Sequence, residues 1–158
     1  MPGAVKKNKT GKWFRNHVDD FHVKLAVGKG YRSRAAFKLL EIHEKDHLIS
    51  GGMLVADLGA APGSWSQVIS RLVGGKGVVV AIDQKKISQI ENVISIEGCV
   101  GNEETERKFD KITRGKKMDL VVSDMAPNLT GFSTVDQENM LKLVNLALCF
   151  IEQRLKPE

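Results

Sequence analysis

Cysteine is scarce in this chain of 158 residues: Cys99 and Cys149 lie far apart and outside any C-x-x-C spacing. That leaves no disulfide scaffold, and two reduced thiols in a cytoplasmic protein are the simplest expectation. Long apolar runs are missing too, so nothing in the sequence is expected to span a bilayer. Lys6, Lys7, Lys9 and Lys12 precede no apolar stretch, which is not the pattern of a secretory signal. No internal repeat or low-complexity tract stands out. What remains is an ordinary apolar fraction, a slightly high charged fraction and a length suited to one domain.

The charge is unevenly placed. Residues 1–38 hold ten Lys or Arg against Asp19 and Asp20, a net of +8, and the whole-chain +5 leaves −3 for the rest. A basic entry segment on a near-neutral body suits a polyanion; a solvated, solubilising tail has the same composition. Trp13, Phe14 and Tyr31 favour the first, because aromatic rings among Arg and Lys stack bases.

Beyond a basic arm over 1–12, a helical or irregular segment around 13–27 should break at Gly28-Lys29-Gly30. Ser33 is placed to cap a helix running to about His47. Strands are expected at 53–57, 77–83, 93–96 and 118–124, the last apolar on both faces. Helices are expected at 64–73, stopped by Gly74-Gly75, at 103–114, and from Thr134 onward with a T-x-x-Q capping box to Gln137. Met140, Leu143, Val144, Ala147, Phe150 and Ile151 give that last helix a wide apolar stripe. The alternation predicts an α/β, doubly wound parallel sheet.

The densest signal is Val55-Ala56-Asp57-Leu58-Gly59-Ala60-Ala61-Pro62-Gly63-Ser64-Trp65-Ser66-Gln67. It is a buried strand entering a glycine turn that opens a helix, where bare backbone and unpaired N–H groups can meet a ligand. Its G-x-x-x-G spacing is not the dinucleotide fingerprint G-x-G-x-x-G. Asp83, about 20 residues past the loop, stands where an acid bonds ribose hydroxyls in nucleotide folds, and Asp124 ends the fourth strand. Each has a plainer reading: turn residues for Asp83, Gly59 and Gly63, and ordinary core for Trp65.

This run, D-L-G-A-A-P-G-x-W, resembles the FtsJ/RrmJ-like ribose 2′-O-methyltransferases, which use S-adenosylmethionine. Two further segments are similar to that family: Tyr31-Arg32-Ser33-Arg34-Ala35-Ala36-Phe37-Lys38-Leu39 and Ser123-Asp124-Met125-Ala126-Pro127-Asn128. The resemblance implies a Rossmann-like methyltransferase domain over 31–158, behind a basic segment over 1–30. It implies cofactor contacts at Gly59, Gly63, Trp65, Asp83 and Asp124, and catalytic roles for Lys38 and Asp124. The family's other catalytic Lys and Glu would lie past Glu158. Lys156-Pro157-Glu158 is similar to the K-P-G-G turn before its fifth strand, so the expected fold is cut short after the fourth strand and its helix.

One departure is evident: where the family carries G-D-F, its acid touching adenine, this chain has Gly98-Cys99-Val100. A thiol is a weak acceptor, so backbone groups, Glu97 or Asn102 are the candidates to hold the base, or affinity is lower. A lysine near a ribose hydroxyl either takes its proton or stabilises the oxyanion. Arg34 would push Lys38 toward neutrality and Asp124 would oppose it. By periodicity alone, Lys38 is one of a solvated helix face with Arg34, Glu41 and Lys45.

The family's bacterial members methylate a uridine of large-subunit ribosomal RNA, which makes RNA the expected partner of a monomer, with Arg32 and Arg34 on its phosphates. Relatives acting on tRNA or other RNA share the core, and a non-catalytic RNA-binding module is the alternative. His43-Glu44-Lys45-Asp46-His47 also fits the zinc signature H-E-x-x-H. No later His completes a ligand set, and His47 suits a helix C-terminus, so no metal is expected.

Overall fold

Parallel strands buried on both faces need apolar residues at successive positions, because neighbouring side chains point to opposite sides. The computed structural model describes residues 23–157; the basic arm, Trp13 and Phe14 lie outside the described residues. Residues 23–28 are helical, and the helix ends at the expected break, where Tyr31 N–H donates to Ala26 O. The regular elements follow as α1 (Ala35–Asp46), β1 (Leu54–Leu58), α2 (Ser64–Val73), β2 (Val78–Asp83), β3 (Val93–Glu97), α3 (Glu103–Thr113), β4 (Leu120–Ser123) and α4 (Ser133–Arg154). The strands form one parallel sheet in the order β3-β2-β1-β4.

Alternation along the central strands builds two cores. Val55 and Val79 pack with Leu39, Trp65, Val68 and Ile69 beneath α1 and α2. Ala56, Leu58, Val80 and Ile82 pack with Phe109 and Phe150 beneath α3 and α4. The sheet is therefore doubly wound. Its order reverses between β1 and β4, so the loops leaving those two strands diverge and open a crevice at the carboxyl edge.

Element boundaries differ from expectation where local chemistry intervenes. Arg34, not Ser33, is the N-cap of α1, and Ser33 instead bonds Ser64 across to α2 at 2.7 Å while its Oγ accepts Ala35 N–H. Met118 leaves β4 to make a parallel bridge with Leu155. The helix α4 starts at Ser133 without the Thr134–Gln137 box; Asp136 accepts the N–H groups of Thr130 and Gly131. Of its expected stripe only Phe150 is buried, while Met140 and Val144 stay exposed. Among the described residues β4 is an edge strand, so Leu120, Val121 and Val122 are half-buried and not enclosed on both faces. Among the described residues no helix is long and apolar enough to cross a membrane.

Candidate active site

The carboxyl edge gathers three acids from three strands. Asp57 lies near the end of β1, Asp83 closes β2, and Asp124 follows β4. Asp57 is buried; its Oδ2 accepts the Ser66 hydroxyl at 2.6 Å and its Oδ1 has no partner among the described residues. Burial pushes its carboxyl from 3.8 up to about 7, the charges of Asp124 and Asp83 add to the rise, and Ser66 opposes it. Asp83 holds the turn between β1 and α2: Oδ2 accepts Ala61 N–H at 2.9 Å and Oδ1 accepts Lys85 N–H at 2.8 Å. The turn-residue reading of Asp83 is thus borne out, and the same residue lines the cleft at this edge.

The glycines are needed for a reason the sequence did not show. Gly59 has φ +74°, and a Cβ there would stand 2.5 Å from Met125 Cγ. Gly63, the N-cap of α2 with φ +102°, would place a Cβ 2.8 Å from Arg32 Nη1. Both conformations strain an L side chain, and protein atoms already occupy the space. Arg32 lies so close because its guanidinium donates to Pro62 O and Gln89 O, each at 2.9 Å. It clamps the loop that carries Gly63. Arg34 stands exposed at the helix start.

Lys38 and Asp124, separated by most of the sheet in sequence, meet at 2.9 Å. Helix α1 carries Lys38 to this point because Ala36 and Leu39 face the core and Trp65 Nε1 donates to Ala35 O at 2.8 Å. The Lys38 ammonium lies 5.4 Å from the centre of the Trp65 ring. Trp65 belongs to the core, at 7% exposed, and it also lines a small recess with Asp57, Gly59 and Asp124.

A cleft of about 690 Å³ opens beside this pair, walled by Gly59, Asp83, Cys99, Asp124 and, from α4, Asn139 and Lys142. Asn102 does not line it; its side chain caps α3 by accepting Glu104 and Thr105 N–H. Glu97 does not line it either, whereas Gly98, Cys99 and Val100 do. Of the segment read as a candidate to hold a base, residues 98–100 are the ones that line the cleft. The α4 residues, the Arg32 clamp and Ser66 were not anticipated. A serine on the first turn of α2, facing a strand with a buried acid, was the available clue.

His43 and His47 sit edge to face with ring centres 6.1 Å apart. His43 Nδ1 accepts Ile49 N–H, and His47 is the left-handed C-cap of α1. Among the described residues no three His, Cys, Asp or Glu are grouped to hold a metal ion.

The donor set suits a ligand bearing positive charge and hydroxyls. Three carboxylates converge on one rim, and the buried one carries an orphaned oxygen, which is costly without a partner. The sequence profile of the FtsJ-like methyltransferases matches residues 31–158. Ribosomal RNA large subunit methyltransferase E of Chromobacterium violaceum is 45% identical over 153 residues, covering 97% of this chain and 75% of that protein. Its namesake in Acinetobacter baylyi is 49% identical over 146 residues, covering 92% and 68%. The crystal structure of a protein described as a ribosomal RNA methyltransferase from Plasmodium falciparum superposes with a TM-score of 0.73 at 34% identity, covering 80% of this chain and 73% of that one.

Proposed function

The chain belongs to the FtsJ-like methyltransferase family, and from that premise we propose that it methylates a ribose 2′-hydroxyl, that of a uridine, in large-subunit ribosomal RNA, with S-adenosylmethionine as donor. The observation that carries this reading is the Lys38–Asp124 pair beside a rim of carboxylates. S-adenosylmethionine, when bound, supplies a methyl group on a positively charged sulfur. Asp57 and Asp124 would hold the cationic part, and Asp83 the ribose hydroxyls. Gly59 and Gly63 shape the loop, Trp65 packs beneath it, and the backbone of 98–100 would take the base.

Asp124, in the wall of the cleft, accepts one Nζ–H of Lys38, which holds that nitrogen as a donor beside the cleft. A hydroxyl oxygen taking a second Nζ–H would be oriented, its own proton would leave to solvent as the oxygen bonds carbon, and the negative charge it develops on the way would be stabilised. Alignment of that oxygen with the donor supplies the rest of the rate. Arg34 and the basic segment before it would hold phosphates, while Arg32 serves the loop. The proposed setting is a cytoplasmic monomer acting on RNA.

The test uses tritiated donor with large ribosomal subunits and with naked ribosomal RNA. Label should resist alkali within one dinucleotide, since a 2′-O-methyl ribose cannot cleave its own phosphodiester. Lys38→Ala should lower transfer by about 10²–10⁴-fold with donor affinity within about twofold. Alkali-labile label, or equal loss of transfer and donor binding, would refute the assignment.

A further inference from the structure

The opposite end of the sheet carries a second charged feature. A cleft of about 750 Å³ lies at the amino ends of β1 and β2, and Lys76, Arg114, Lys116, Lys117 and Lys156 stand around it. All five are exposed. Among the described residues Asp119 is the single acid in its wall; it pairs with Lys156 and also accepts Leu54 N–H. Lys117 Nζ bonds Gln153 O. Among the described residues, no carboxylate pairs with Lys76, Arg114, Lys116 or Lys117.

These cations are gathered by the fold. Lys76 comes from the 3-10 turn after α2. Arg114 is the left-handed C-cap of α3, and the turn through Gly115 brings Lys116 and Lys117 beside it. The body beyond residue 38 has a net charge of −3, so the cluster runs against the average of its surroundings. Such a local concentration focuses a positive field at one end of the molecule.

We propose that this cleft is a second RNA contact, holding phosphates of the substrate RNA at the end of the sheet opposite the methyl-transfer rim. This rests on the reading of RNA as substrate. A strand of five residues spans about 17 Å, so the two contacts select a folded RNA broad enough to touch both ends. Phosphate contacts fix register and orientation without reading sequence.

The test is the salt dependence of binding to a fragment of large-subunit ribosomal RNA, for the full protein and for the triple variant Lys76→Gln, Arg114→Gln, Lys116→Gln. The slope of log K against log salt should flatten by about 2, at roughly 0.7 per phosphate on a single strand, with S-adenosylmethionine affinity unchanged. The charge-keeping variant Lys76→Arg, Arg114→Lys, Lys116→Arg should retain the slope. A steep slope in the unmodified protein that the Gln variant preserves overturns this contact alone. So does a slope lost in both variants. An unmodified protein without salt-dependent RNA binding overturns the substrate reading as well.

Discussion

Asp57 ties the stability of the fold to the proposed binding of a cationic ligand. Its folded pKa of about 7 lies well above the 3.8 of a free aspartate. The folded state therefore keeps a proton that the unfolded state has lost, and stability falls as pH rises from about 4 to about 7. The shift corresponds to something on the order of 4 kcal/mol, and Asp57→Asn should flatten this decline in denaturant titrations. A cationic ligand acts in the other direction. It favours the ionised carboxylate, so affinity for S-adenosylmethionine should fall up to tenfold per pH unit below about 7, with proton release at neutral pH. Calorimetry in buffers of different ionisation enthalpy reads that proton. A pH-independent affinity in the unmodified protein, matching that of Asp57→Asn, would remove Asp57 from the binding site. Lys38 and Asp124 stood out in sequence because motifs mark them, and Asp83 because of its spacing from the glycine loop. The unpartnered Oδ1 of Asp57 was not, since it depends on what packs around a strand.

Among the elements, α2 matches the expected residues 64–73, because glycines bound it at both ends. In α4 the start lies within one residue of expectation, but the T-x-x-Q box yielded to Asp136, whose carboxylate serves the preceding loop. The helix α3 looks mostly charged in sequence, yet Thr105, Phe109 and Thr113 bury one narrow face. Its anchor is Arg154 at the end of α4, which pairs with Glu106 at 2.7 Å and Asp110 at 3.0 Å. The same guanidinium lies 5.3 and 5.1 Å from the rings of Phe109 and Phe150, which themselves meet edge to face. Its side chain is 11% exposed. Arg154→Ala would strand Glu106 beside an apolar cluster and should cost about 3 kcal/mol, lowering Tm by roughly 10 °C. A thermal scan within about 2 °C of the unmodified protein would show that the two helices dock without it.

For the whole molecule, strand content and parallel winding were legible because short apolar strands alternate with helices along the chain. The two-ended charge pattern was not, because it depends on turns that gather Lys76, Arg114 and Lys116 from separate segments. The central claim is spatial: the carboxyl edge of the sheet holds the methyl donor. Hydrogen exchange with and without saturating S-adenosylmethionine measures it across every backbone amide at once. Slowed exchange should appear in 57–63, 83–85, 98–100 and 124–128, with no change in 74–78 and 113–119. Protection confined to 74–78 and 113–119, or absent from all of these segments at saturation, would contradict the account.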